Sequence, residues 1–221
     1  MNFNKIKIKA IIIAVVIISG NINAQSYQKT DLGLKFSNDN MNVELKLYGE
    51  NTVRIIKYPS GKSFEKNSLS VIKKEEKSKF SVSESKNIIS LKTNDLNIFI
   101  DAKNGTITYK SVSGKELLTE VGSDFQPFND AGNQTYSVSQ SFQLEKDEPI
   151  YGLGILQNGK MSQRNTNVKM IQNNTWDFVP FFQSVKGYGI FWDNYSPTQF
   201  TDTPQKTSFS SEVGEGVDYY F

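Results

Sequence analysis

The sequence predicts an all-β protein, an antiparallel sandwich of two sheets, on three observations. Short alternating runs follow one another between turn residues, no helical period persists beyond about two turns, and the dense charged run Lys73–Lys77 (KKEEK) mixes both signs as a solvated loop does. Strands at this spacing are enough for one sandwich, with no repeat or low-complexity linker between them.

The elements follow in chain order. Lys5, Lys7 and Lys9 precede the apolar run AIIIAVVIISG, and the small-residue site Ile22-Asn23-Ala24 comes next, the order of a secretory signal. Ala10 to Gly20 is too short for a transmembrane helix, which needs roughly 20 residues. We therefore expect cleavage after Ala24, residues 25–221 as the sandwich domain, and a secreted or periplasmic location with no membrane partner thereafter. Met41 to Tyr48 sets Val43, Leu45 and Leu47 against Asn42, Glu44 and Lys46, a strand with one buried face. Val53 to Tyr58 follows across Gly49, Glu50 and Asn51, so the two runs form a hairpin. In Leu96 to Tyr109 (LNIFIDAKNGTITY), Asn104-Gly105 separates two alternating runs and predicts a type I′ turn. Ser113-Gly114-Lys115 marks a second turn, before Leu117 and Leu118, and Ser137 to Leu144 alternates again through Val138, Phe142 and Leu144. At Gly216–Phe221 the chain enters an aromatic strand-like run and stops without a turn or tail, from which we expect a domain truncated on this side and belonging to a longer protein.

Composition removes whole reaction classes. The chain has no histidine and no cysteine, so Ser-His-Asp triads, Cys-His pairs, ordinary zinc sites and disulfides are excluded within it. Removing the leader takes away three lysines and no acids, which turns a net charge of +2 into −1 and leaves no basis for a nucleic-acid partner. Carboxylates, amides, hydroxyls and aromatics remain, the groups that sugar-active proteins use.

Of the 27 aromatic residues, 13 lie between Trp176 and Phe221. Phe182, Tyr188, Phe191 and Trp192 flank the turn at Lys186-Gly187, where pairs of rings pack across strands, so core packing is the expectation for this group. Tyr151-Gly152-Leu153-Gly154 is not a dinucleotide fingerprint, because Gln157 stands where its third glycine belongs; its glycines are expected to bend a strand or admit a close backbone. The candidate binding residues are Asn173, Asn174, Thr175, Trp176 and Asp177, in a segment that also holds Gln172. Amides and a carboxylate bond sugar hydroxyls while an indole covers the ring's apolar face, although a polar turn before the Phe178–Phe182 strand fits the same residues. Asp193 and Asp218 have no paired-carboxylate context, and no catalytic residue is assigned to this chain.

The stretch Tyr151 to Asn194 (YGLGILQNGKMSQRNTNVKMIQNNTWDFVPFFQSVKGYGIFWDN) resembles the N-terminal, galactose-mutarotase-like β-sandwich of family 31 retaining α-glycosidases, most closely α-xylosidase-like members. The likeness covers Leu96 to Phe221, while Gln25 to Leu91 agrees in strand pattern only. It implies that two catalytic aspartates belong to a C-terminal (β/α)8 barrel following this domain, that a loop at the position of Gln172–Asp177 helps wall the sugar site, and that no metal or organic cofactor is needed. In relatives an acidic residue often follows the Y-G-L-G motif; here Ile155 stands there, so no role is carried over to it. The implied activity is hydrolysis of terminal α-linked xylosyl or glucosyl residues of oligo- and polysaccharides. The competing reading is a stand-alone carbohydrate-binding or structural sandwich.

Overall fold

The computed structural model describes residues 27–221, so the charged and apolar leader with its expected cleavage site lies outside the described residues. Every regular element among them is a strand, and all neighbouring strands run antiparallel. The first sheet has the order β1 (Tyr27–Thr30), β2 (Gly33–Ser37), β3 (Met41–Leu47), β4 (Val53–Pro59), β17 (Val217–Tyr220), β14 (Gly189–Trp192), β13 (Asp177–Ser184) and β11 (Ile150–Ile155). The second runs β12 (Asn167–Met170), β15 (Thr198–Asp202), β16 (Thr207–Gly214), β10 (Asn133–Gln143), β9 (Glu116–Asp130), β8 (Ile107–Ser111), β7 (Leu96–Asp101), β6 (Ile88–Lys92) and β5 (Ser81–Ser85).

The aromatic run near the chain end is an interior strand. β17 lies between β4 and β14, with Tyr219 opposite Ile55 on one side and Trp192 on the other, and Val53 and Phe221 exchange two backbone hydrogen bonds of 3.0 and 2.9 Å. Its Val217, Asp218, Tyr219 and Tyr220 are all buried.

The β3–β4 hairpin forms as its alternation predicts, with Val43 opposite Lys57 and Leu45 opposite Ile55. The β7–β8 hairpin also forms, but its turn is not type I′. Only Gly105 (φ 72°) of the Asn104-Gly105 pair is left-handed; the loop closes as a single helix-like turn in which Gly105 N–H donates to the Asp101 carbonyl at 2.8 Å. The cause is local side-chain competition: Asp101 Oδ1 accepts from Lys103 N, and Asn104 Oδ1 accepts from Thr106 N, at 2.8 and 2.9 Å. Paired positive φ values of the kind a type I′ turn requires occur instead at Lys86 (51°) and Asn87 (66°), between β5 and β6, and at Ala131 (49°) and Gly132 (94°), joining the long β9–β10 hairpin where Asp130 faces Asn133.

Between the sheets, Phe182 stacks on Phe209 and Trp192 lies parallel to Phe209, while Phe142 meets Tyr219 edge-on. Thus Phe182, Tyr188 and Trp192 pack inward as expected, whereas Phe191 is half-buried on the outer face of the first sheet. Polar groups pin the sheets together. Lys57 of β4 bonds Glu120 of β9 and donates to the Gly105 carbonyl at 2.9 Å; the other Glu120 oxygen accepts from Tyr219 at 2.5 Å, and Tyr219 meets the Tyr109 hydroxyl at 2.6 Å. Every partner is satisfied, which is the condition for burying an ion pair without a large penalty. Burial pushes the Lys57 ammonium below its ordinary range and both tyrosine hydroxyls well above theirs.

Candidate functional site

The glycines of Tyr151–Gly154 set the position of the candidate loop. Gly152, Leu153 and Gly154 all have positive φ (126°, 66° and 92°) and make a bulge in β11 where it pairs with β13. A Cβ on Gly154 would stand 1.9 Å from the Asp177 carbonyl oxygen, and one on Gly152 would stand 2.5 Å from that of Phe181. No other residue fits so close to a neighbouring backbone. The motif therefore lets β11 close against the start of β13, bringing Ile155 opposite Asp177 directly after Trp176.

Within that loop the polar groups mostly hold the loop itself. Asn173 Oδ1 accepts from Thr175 N and Trp176 N, both at 3.0 Å, and from Thr175 Oγ1 at 3.2 Å. Gln172 clasps the far side, accepting from Phe178 N at 3.1 Å and donating to Asp177 Oδ1, while Gln157 reaches across to the Thr175 carbonyl at 3.1 Å. Asn173, Asn174, Thr175 and Asp177 are exposed. Among the described residues the Asn174 side chain and the Asn173 Nδ2 make no hydrogen bond. Trp176 is half-buried, edge-on to Phe178 and packed against the core from outside, so one part of the indole is structural and the rest is open. The sequence-selected residues thus do cluster, but as a self-braced turn carrying a partly open ring.

Asp193 and Asp218 lie elsewhere, on the outer face of β14 and β17, and both are enclosed. Asp218 takes a bidentate pair from Arg54 (2.8 and 2.7 Å) and a third contact from Lys66 at 2.8 Å. Among the described residues the Asp193 carboxylate accepts no hydrogen bond, and the Lys66 ammonium lies 3.3 Å from its Oδ1. At 1% and 2% exposure both residues are buried within this ion cluster. No three acidic side chains converge as a metal cage among the described residues.

Lys66 arrives on the long connection 60–80 between β4 and β5, which crosses this half of the sheet. It is latched by Lys66 itself, by Phe64 stacking on Tyr58, by Leu69 N donating to the Tyr195 hydroxyl at 2.6 Å, and by Glu76 N donating to the Leu47 carbonyl at 3.1 Å. Composition alone could not reveal this role for Lys66, because its anionic partners are distant in sequence. Lys73, Lys74, Glu76 and Lys77 in the same connection are exposed, as the mixed charge run suggests.

Among the described residues, nothing covers the other half of the same face. Asp177, Val179, Phe181 and Gln183 alternate outward along β13 and all four are exposed, with Ile155 of β11 beside them. A groove of about 570 Å³ adjoins this half; its wall includes Asn51, Asp95, Phe181, Gln183, Phe191 and Phe221.

The described residues thus form a two-sheet antiparallel sandwich with a glycine-bulged β11 and an amide-braced loop. Residues 42–200 match the glycosyl hydrolase 31 N-terminal galactose mutarotase-like domain, and the chain belongs to that family. The match begins within β3, so the first half of the sandwich carries the family pattern as well as the Leu96–Phe221 stretch. The chain is 33% identical over 191 residues to an alpha-xylosidase of Saccharolobus solfataricus, which covers 82% of this chain and 26% of the relative. The structure of a GH31 alpha-xylosidase from Xanthomonas citri superimposes with a TM-score of 0.74 at 32% identity, covering 79% of this chain and 20% of that one. A GH31 alpha-xylosidase from a soil metagenome, solved with xylose, shares the fold with a TM-score of 0.77 at 21% identity over 89% of this chain and 32% of that one. The chain therefore spans about a fifth to a third of the length of these proteins.

Proposed function

We propose that the chain is the N-terminal sandwich of an exported retaining α-glycosidase acting on terminal α-linked xylosyl or glucosyl residues of oligo- or polysaccharides. The observation that carries the reading is the family match over residues 42–200, joined to two relatives named as α-xylosidases at 33% and 32% identity. In the whole enzyme a nucleophilic aspartate and a proton-donating aspartate, roughly 5 Å apart, would perform the double displacement from a C-terminal barrel. No metal or organic cofactor enters, and no nucleic acid or membrane partner. This domain supports the barrel, and the loop holding Asn173, Asn174, Thr175, Trp176 and Asp177 edges the substrate entrance: the exposed amides meet sugar hydroxyls, and the open part of Trp176 stacks on a ring beyond the cleaved bond.

The test has two arms. Assayed on aryl α-xyloside and α-glucoside, residues 1–221 alone are expected to be inactive and the whole glycosidase of which we propose they are a part active; turnover by residues 1–221 that Asp193→Asn or Asp218→Asn abolishes would overturn the assignment. In the active polypeptide, Trp176→Ala should reduce oligosaccharide kcat/KM about 2- to 13-fold, the equivalent of a stacking contact of roughly 0.5 to 1.5 kcal/mol, and spare small aryl glycosides. Equal losses on both substrates would reject the subsite role.

A further inference from the structure

Asparagine followed by glycine is among the least durable pairs in a polypeptide, because glycine has no side chain to hinder attack of its own nitrogen on the asparagine amide. The chain contains two such pairs, Asn104-Gly105 and Asn158-Gly159. They share a local geometry: Asn104 Oδ1 accepts from Thr106 N at 2.9 Å and Asn158 Oδ1 from Lys160 N at 3.0 Å, so each side chain is folded back over the glycine that follows it. They differ at the nitrogen. Gly105 N–H donates to the Asp101 carbonyl at 2.8 Å, the Gly105 carbonyl accepts from buried Lys57 at 2.9 Å, and Met41 Sδ stands 2.7 Å from where a Cβ would be. Gly159 is exposed, nothing lies within 4 Å of its Cβ position, and among the described residues its N–H makes no hydrogen bond.

We propose that Asn158 is a site of spontaneous modification, deamidating through a cyclic imide while the fold keeps Asn104 intact, and that the conversion loosens the Gln172–Asp177 loop. The Gly159 nitrogen, once deprotonated, attacks the Asn158 side-chain carbonyl carbon; the N–Cγ bond forms, the Cγ–Nδ2 bond breaks and Nδ2 leaves as ammonia. Water then opens the imide at either carbonyl. The net reaction is asparagine plus water to aspartate or isoaspartate plus ammonia, with no oxidant, reductant or other partner. The isoaspartate product carries the main chain through one extra carbon.

The neighbours of Asn158 give the reaction its consequence. Gln157, the residue before it, donates to the Thr175 carbonyl at 3.1 Å and so braces the candidate loop. Asn158 Nδ2 donates to Gln163 Oε1 at 2.9 Å, and Gln163 is 5% exposed with its N–H fixed to the Ile150 carbonyl at 2.8 Å. Both products place an ionised acceptor where that donor stood. Isoaspartate also lengthens a span whose ends are held, at Ile155 by pairing with Asp177 and at Gln163 by Ile150. The segment then no longer fits, and the Gln157 brace slackens. The proposal stands whether or not the glycosidase reading does.

The test is to age the whole protein at mildly alkaline pH and follow positions 104 and 158 by peptide mass spectrometry, a one-dalton gain marking conversion and chromatography separating isoaspartate from aspartate. Asn158 should convert at least about tenfold faster than Asn104 in the native protein, and the two rates should converge in urea, where neither glycine nitrogen is held. Equal native rates, a faster Asn104, or a ratio that survives in urea would overturn the fold's control of the reaction. Hydrogen exchange of residues 172–177 reads the consequence. It should rise about 2- to 13-fold in the aged protein, the equivalent of losing one hydrogen bond, and stay level in Asn158→Ser aged alongside, which has no amide to lose and keeps a hydroxyl to accept from Lys160 N. Unchanged exchange in converted protein would overturn the coupling, and so would an equal rise in aged Asn158→Ser.

Discussion

On one face of one sheet, the strands β4 and β17 carry ions and the strands β13 and β11 carry exposed hydrocarbon between the polar Asp177 and Gln183, yet it is the ionic half that is buried. Arg54, Asp193 and Asp218 are closed over by the connection 60–80, which brings Lys66 to them, whereas Val179 and Ile155 stand in water. Burial of charge is costly unless the partners are in place, so the ionic half needs its own strap to be stable in this chain. The apolar half needs nothing from the chain to remain folded, and what it lacks is a cover. The difference teaches that local completeness separates structural surface from working surface here better than polarity does.

The comparison breaks first at Arg54. Arg54→Met leaves Asp218 buried with only Lys66 beside it, and should cost about 3 to 5 kcal/mol in urea unfolding. A loss under about 1 kcal/mol would mean that the cluster is not structural.

Lys66→Met should come next, at about 1 to 3 kcal/mol, because one ammonium serves both aspartates and the strap. Limited proteolysis should then cut within residues 60–76 faster than in the parent, while cleavage in the Gln172–Asp177 loop stays the same; unchanged cutting in both would dissociate the latch from the strap.

The smallest effect falls at the far edge of the covered half, where Glu44 accepts from Tyr58 at 2.9 Å and pairs with Lys35 at 2.9 Å. Burial pushes the Glu44 carboxyl up, but the hydrogen bonds from Lys35 and Tyr58 outweigh it and hold the group below its ordinary value of 4.5; the Tyr58 hydroxyl is pushed up to about 12, by burial first and then by Glu44. Because the folded value is the lower one, the Glu44 contribution is complete above the unfolded value and fades as pH falls through the folded one. Glu44→Gln should therefore remove up to about 1 kcal/mol at pH 7 and flatten the acid limb of stability below pH 4.5. An unchanged acid limb would show that Glu44 titrates alike in both states.

Much of the sandwich was legible because its period is written into single strands: Val43, Leu45 and Leu47 face the core as their alternation requires. Glu44 breaks the pattern by being buried too, since Lys35 and Tyr58 come from neighbouring strands that alternation cannot see. The turn at Asn104-Gly105 was misjudged because Asp101 and Asn104 offer side-chain oxygens that stabilise a longer loop, and the Ala131-Gly132 turn carried no asparagine to announce it. The loop at Asn173 was found by composition, but its bracing by Gln157, which donates to the Thr175 carbonyl from the end of another strand, was not. The latch at Lys66 was invisible for the same reason: its partners lie 127 and 152 residues away.

The most direct test of the contrast is binding of an apolar fluorescent dye to the 221-residue chain. Dye should bind, and binding should fall in Ile155→Ser with Val179→Ser but persist in Leu69→Ser with Ile72→Ser, because the latter pair, though 81% and 96% exposed, sits on the strap rather than on a continuous sheet face. Both pairs lowering the signal equally, or a parent chain that binds no dye, would contradict the account.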